Sequence, residues 1–196
     1  QEKLTPEISF ALNNAKTLVE LEDIYRPFKP KRSTRGSVAR AKGLEPLAQY
    51  IMEQRDSYDP AIDVYAAEFI SEEEGKEVPT AEAALQGASD IIAEDVSNDA
   101  EIRKLLRAFT VANGSLTTKG TTEETSVYEN YYDFSEPIKK LKGHRVLAIN
   151  RGEKEDFLKV AIIVDKDLIL NYLYNEVILP NKSDAKQYIE MAIVDG

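Results

Sequence analysis

Apolar residues recur at helical spacing along most of the chain, and no other feature restricts the fold as strongly. Leu44, Leu47, Ala48, Ile51 and Met52 fall at i, i+3, i+4, i+7 and i+8, which a 3.6-residue period turns into one continuous stripe. Ile62, Tyr65, Ala66, Phe69 and Ile70 repeat that spacing after Asp59-Pro60. Leu85, Ala88, Ile91 and Ile92 follow Thr80, and Ile102, Leu105, Leu106 and Phe109 follow Asn98 with Glu101. Each stripe is short, and each is preceded by a capping residue or a proline. The expected fold is mainly α, a multi-helix assembly that buries one face of each helix.

Punctuation supports that division. Thr5-Pro6-Glu7 supplies an N-cap and a proline at the first helical position, where its missing N–H costs nothing. Thr17 and Glu20 form a capping-box pattern, with Leu18, Leu21 and Ile24 on one face, before Pro27 and Pro30 interrupt. Between Gly36 and Arg55 a short helix, a turn at Gly43 and a second helix have the length of a helix-turn-helix. Ser115–Tyr128 reads as a loop or a loose hairpin around Lys119-Gly120. Ser135-Glu136-Pro137 is expected to start a short helix, and Gly143–Asn150 to form another that stops near Gly152. Phe157–Val164 is the clearest strand, Asp167–Glu176 reads as helix, and Ser183 is expected to cap a last helix through Ile193. The fold class is therefore mainly α with a helix-turn-helix-like part and a small β element near the C-terminal third. One domain or two remain open; if two, a helical one spans 1–114 and a mixed α/β segment spans 115–196, with the seam in Leu116–Tyr128. No internal repeat is found. The chain opens on glutamine, and its last apolar pattern is still running at Gly196, so we expect a piece of a longer protein.

Composition excludes several kinds of chemistry. Among 196 residues there is no cysteine, which removes disulfides, thiolate metal sites and cysteine nucleophiles. The single histidine, His144, rules out any site that needs two imidazoles. It stands at an expected helix start with no serine or carboxylate at a triad spacing, so it reads as structural. The nine glycines are scattered singly and form no phosphate-cradling loop. No apolar run approaches the roughly 20 residues a membrane span requires. These features point to a cytoplasmic protein that needs no cofactor, holds no metal and is not an enzyme.

The formal net charge of -10 hides an uneven distribution. Residues 1–55 carry 10 basic and 7 acidic side chains, residues 56–101 carry 1 and 14, and residues 102–196 carry 14 of each. Within the first segment, Tyr25–Gly43 holds Arg26, Lys29, Lys31, Arg32, Arg35, Arg40 and Lys42 with no acid among them. Cations at this density neutralise phosphates, and the interleaved Tyr25 and Phe28 could stack on bases. In the competing reading the same side chains lie along the surface and pair with acids such as Glu72, Glu73, Glu74 or Glu77. Lys139, Lys140, Lys142, Arg145 and Arg151 make a second, smaller cluster, for which a solvated face is the first expectation. The run Ser71–Glu77 lacks the alternating ligands of a calcium loop and reads as a linker.

Two long blocks carry a family resemblance. Leu21–Ala48, LEDIYRPFKPKRSTRGSVARAKGLEPLA, resembles the N-terminal region of the Tex family of bacterial transcription accessory proteins. Tyr131–Val160, YYDFSEPIKKLKGHRVLAINRGEKEDFLKV, is similar to that family's second characteristic block. Tyr188–Gly196, YIEMAIVDG, looks like the start of the helix that leads into its next domain. The resemblance implies a chain continuing into a resolvase-like (RNase H-type, YqgF-like) domain, helix-hairpin-helix modules and an OB-fold RNA-binding domain. It also implies nucleic-acid binding associated with transcription, with the principal RNA-binding module lying beyond Gly196. The expected function is a scaffold fragment of such a factor, with a secondary RNA or DNA contact through the seven basic residues. The alternative is a protein-interaction module whose acidic 56–101 segment docks on a transcription or translation partner or on a neighbouring domain.

Overall fold

The computed structural model describes residues 5–28 and 33–196. Helices begin where capping chemistry places them. The Ile8 amide donates to Thr5 Oγ1 at the start of α1 (Pro6–Asn14). Thr17 and Glu20 form a reciprocal capping box on α2 (Leu18–Tyr25), with the Glu20 amide donating to Thr17 Oγ1 at 3.2 Å. The face expected of α2 is not the one it buries. Leu18 is 72% exposed and the buried residue is Asp23, which accepts from Arg103 Nε at 2.7 Å. A charge-assisted contact therefore sets the orientation of α2, and apolar burial does not.

The helix-turn-helix-like part is present as α3 (Arg35–Ala41) and α4 (Glu45–Met52). Gly43 between them has φ +82°, a left-handed conformation that only glycine adopts without a Cβ penalty. Leu44, Leu47, Ala48 and Ile51 are buried, while Met52 sits at the margin of the stripe. The next helix, α5 (Ile62–Ala67), buries Ile62 and Ala66 and ends before Ile70. It stops because Ser71 and Val78 exchange backbone hydrogen bonds at 3.0 and 2.8 Å, drawing the chain into a short bridge.

The longest helix, α6 (Ala81–Asn98), is capped by Thr80 as expected. It buries the small residues Ala84, Gly87, Ala88, Ser89 and Ala93, which let α3, α4 and α5 approach closely, and the larger Ile91 and Ile92. Asp99 caps α7 (Ala100–Asn113) by accepting from the Ile102 amide at 2.8 Å, one residue beyond the expected Asn98. Ile102, Leu105, Leu106 and Phe109 of α7 are half-buried, Val111 is exposed, and no residue of α7 is in the core.

Packing divides the chain into two compact units. The first comprises the residues up to Lys104 together with Leu170–Gly196, and the second comprises Leu105–Ile169. The chain leaves the first unit within α7 and returns within α9 (Lys166–Val177), the helix expected over Asp167–Glu176. The last helix, α10 (Lys186–Asp195), adds Ile189, Ala192 and Ile193 to the core around α6. Ser183 accepts from the Ala185 amide at 3.3 Å, so its capping contact falls just ahead of the helix. Gln54 fastens the returning strand of chain. It is buried at φ +48°, donates to the Val177 carbonyl at 3.0 Å and accepts from the Leu179 amide at 2.8 Å.

The second unit corrects two expectations. Of the loop and the loose hairpin expected over Ser115–Tyr128, the structure has neither a plain loop nor a hairpin turning at Lys119-Gly120: Ser115–Gly120 is strand β1, central between β2 (Asp133–Pro137) and β3 (Leu158–Ile163). Both pairings are antiparallel, Thr117 facing Ser135 and Ala161. Threonine-rich composition suited a strand, and the Lys119-Gly120 pair only ends it. Ser135-Glu136-Pro137 lies in β2 rather than opening a helix, and a 3-10 turn over Ile138–Lys140 follows. α8 (Gly143–Lys154) runs two residues past Gly152. The strand expected at Phe157–Val164 is β3.

Candidate nucleic-acid interface

The basic block begins at the end of α2 and runs through α3. Thr34 starts α3 with a capping box completed by Ser37, whose amide donates to Thr34 Oγ1 at 3.0 Å. The Thr34 hydroxyl donates in turn to Glu94 Oε2 on α6 at 3.0 Å. A Cβ built on Gly36 would lie 2.9 Å from the Asp90 carbonyl, so α3 crosses α6 as closely as a backbone allows. That closeness puts the α3 cations within reach of an acidic row, Asp90, Glu94 and Asp95, along α6.

Each basic residue of the block that lies among the described residues meets an internal acceptor. Arg26 Nε donates to Asn98 Oδ1 at 3.2 Å. Arg35 bonds the Asp195 carboxylate through Nη2 and stands 3.7 Å from Asp90 Oδ1 through Nε. Arg40 pairs with Asp95 through Nη2 and with Glu45 at 3.6 Å through Nε. Lys42 Nζ donates to the Glu77 carbonyl at 2.9 Å. The backbone amides of Glu77 and Gly75 hold the Glu77 carboxyl below the usual range, and the nearby Lys42 charge adds to this. The acids that do the pairing come chiefly from α6 and α10, and not from the Glu72–Glu74 run. Lys29, Lys31 and Arg32 lie outside the described residues.

A groove of about 470 Å³ runs beside α3, with Arg35, Lys42, Glu77 and Asp90 among its lining residues. Two cations against two acids give it no net attraction for an anion. Tyr25 is exposed and Phe28 half-buried, so of the two candidate stacking rings Tyr25 is the more accessible. Among the described residues no three His, Asp or Glu side chains are placed to hold a metal ion, and no helix is long and apolar enough to cross a membrane. The acidic run Glu72–Glu77 forms an exposed turn inside the Ser71–Val78 bridge, with Lys76 Nζ 2.9 Å from Glu73 Oε1.

In the second unit, Arg145 of α8 directs Nη1 at both carboxylate oxygens of Glu136, each at 2.7 Å, and lies over the Phe134 ring. Arg151 Nε pairs with Glu155 at 2.9 Å. Glu155 also accepts from the Tyr128 hydroxyl at 2.7 Å. Two of the five cations in the second cluster are thus engaged, as the sequence expectation of a merely solvated face did not anticipate.

A family model described as Tex central region-like matches residues 57–190. The chain belongs to the Tex family. It is 43% identical over 200 residues to YdcI of Bacillus subtilis (strain 168), an alignment that covers 100% of this chain and 27% of that protein. Protein tex of Bordetella pertussis is 38% identical over 173 residues, 86% of this chain and 21% of the relative. Transcriptional accessory protein Tex of Neisseria gonorrhoeae is 33% identical over 171 residues, 85% of this chain and 22% of the relative. This Tex-family chain spans about a quarter of the length of the relatives it matches.

Proposed function

We propose that the chain is a scaffold segment of a Tex-like transcription accessory protein, and that it makes a secondary contact to RNA or DNA through the block Arg26–Lys42. Family membership supports the scaffold role, together with a core in which α6 is surrounded by other helices. The contact rests on charge. Arg35, Arg40 and Lys42 brace α3 against its neighbours, so we assign the phosphate contacts to Lys29, Lys31 and Arg32, which follow Tyr25 in the sequence. The test is a salt titration of RNA binding by the chain and by its K29Q/K31Q/R32Q variant. Each phosphate contact to a single strand contributes about 0.7 to the log–log salt slope, so the variant should lose about 2. An unchanged slope removes the contact from this block.

A second reading, in which the acidic 56–101 segment docks on a basic partner protein, is favoured by one observation. Glu72 and Glu74 are exposed and have no ion-pair partner among the described residues, whereas Asp90 and Asp95 on α6 are engaged. Charge reversal at Glu72 and Glu74 should then reduce co-purification of polymerase or ribosomal proteins and leave RNA affinity intact. Equal co-purification excludes it.

A further inference from the structure

The cations best placed to meet a ligand lie in the second unit. Lys139 and Lys140 occupy the 3-10 turn after β2, Lys142 immediately precedes α8, and His144 sits in its first turn. All four side chains are exposed. None has an ion-pair or hydrogen-bond partner among the described residues. The nearest basic neighbour in sequence, Arg145, behaves differently, because both oxygens of Glu136 hold it. The acid that might have neutralised the lysines is thus occupied by the arginine.

The cluster extends along α8. His144, Leu147, Arg151 and Lys154 recur at steps of three, four and three residues, which places them on one helix face, where Glu155 engages Arg151 and leaves His144 and Lys154 unpaired among the described residues. All are exposed, Leu147 to 72%. The first turn of α8 carries no acid and no side-chain cap, so the lysines stand at the positive end of a helix dipole, where a negative group would be stabilised. From His144 to Lys154 the ridge is about 15 Å long, at 1.5 Å per residue.

We propose that this ridge, Lys139, Lys140 and Lys142 with His144 and the outer face of α8, is a further contact for the phosphate backbone of a nucleic acid. It rests on the nucleic-acid reading above but uses different residues. An acidic protein is the other polyanion to consider. Protein interfaces draw their affinity from buried aromatic and apolar anchors, and the α8 face offers Leu147 alone. Phosphate neutralisation requires only accessible cations in a row.

The experiment uses the 196-residue chain, a fluorescein-labelled 20-nucleotide single-stranded RNA and, separately, poly-glutamate as probes. Binding is titrated from low to moderate salt for the parent, for K139Q/K140Q/K142Q, and for K29Q/K31Q/R32Q. We expect the first variant to lose about 2 from the salt slope and at least tenfold in low-salt affinity, with an unchanged circular dichroism melt because these lysines make no ion pair or side-chain hydrogen bond among the described residues. Should the triple variant fail to fold, K140Q alone should lower the slope by about 0.7. Loss in both variants supports both contacts. Loss confined to K139Q/K140Q/K142Q supports the ridge and removes the block. Loss confined to K29Q/K31Q/R32Q overturns the ridge and leaves the block standing. No RNA binding by the parent overturns both, and poly-glutamate binding as tight as RNA binding overturns the ridge as a nucleic-acid contact.

Discussion

Two short stretches of this chain are rich in cations, and folding treats them in opposite ways. Arg35, Arg40 and Lys42 lie on or beside α3, which α6 supports closely, and each finds a carboxylate or a carbonyl there or nearby. Lys139 and Lys140 lie on the turn after β2 and Lys142 just ahead of α8, and none of the three side chains has an ion-pair or hydrogen-bond partner among the described residues. Cation density alone would rank the first stretch higher as a phosphate-binding surface. What decides the matter is the partner helix: residues 56–101 hold 14 acids, and α6 places Asp90, Glu94 and Asp95 where α3 crosses. The strongly acidic segment and the basic block are to that extent two sides of one internal contact.

The largest expected effect tests what seats α3 and α4 in the first place. Leu47 is fully buried, so Leu47→Ala should cost about 2–5 kcal/mol in urea unfolding. A cost no greater than that of removing an ion pair would mean that charge, not apolar packing, holds the pair of helices. Next comes the crossing itself. Gly36→Val meets the Asp90 carbonyl and should destabilise by about 1–3 kcal/mol, and a neutral result would show that α3 stands further from α6. Charge removal separates the two clusters most cleanly. Arg35→Gln and Arg40→Gln should each cost less than about 1 kcal/mol, with the loss shrinking in high salt. Lys139→Gln and Lys142→Gln should leave the unfolding midpoint unmoved at any salt. A stability loss at either lysine would reveal a partner and end the contrast.

The smallest effect concerns pH in the second unit. Arg151 and the Tyr128 hydroxyl hold the Glu155 carboxyl below its ordinary range. A carboxyl with a lowered folded pKa stabilises fully above its unfolded value of about 4.3 and loses that contribution as pH falls through the lower folded value. Glu155→Gln should therefore flatten the acid limb of the unfolding curve below about pH 4. An identical acid limb would show that Glu155 is not ionised against these partners.

Much of the fold was legible because local chemistry dictates it. Thr5, Thr17 and Thr80 cap the helices their sequence context implies, and the Leu44–Ile51 stripe is buried. Long-range contacts were not legible. Nothing local to α2 says that Asp23 will be buried against Arg103, 80 residues away, leaving Leu18 in solvent. The role of β1 depends on pairing with β2 and β3 at once, which a threonine-rich stretch read alone does not reveal. Gln54 gave no signal as the fastening of residues 177–181, since a polar residue after a helix normally faces water. The candidate site followed the same pattern: both basic clusters stood out in the sequence, but the acids that neutralise the first were sought at Glu72, Glu73, Glu74 and Glu77, of which Glu77 meets Lys42, and not on α6.

The internal engagement of the α3 cations is the claim from which the rest follows, and a double-mutant cycle on Arg40 and Asp95 tests it most directly. Arg40→Gln, Asp95→Asn and the double variant are unfolded in urea at low and high salt. The expected coupling energy is about 0.2–1 kcal/mol at low salt, diminishing as salt rises. Additive effects with no coupling at low salt would mean that Asp95 does not hold Arg40, and the contrast between the two clusters would not stand.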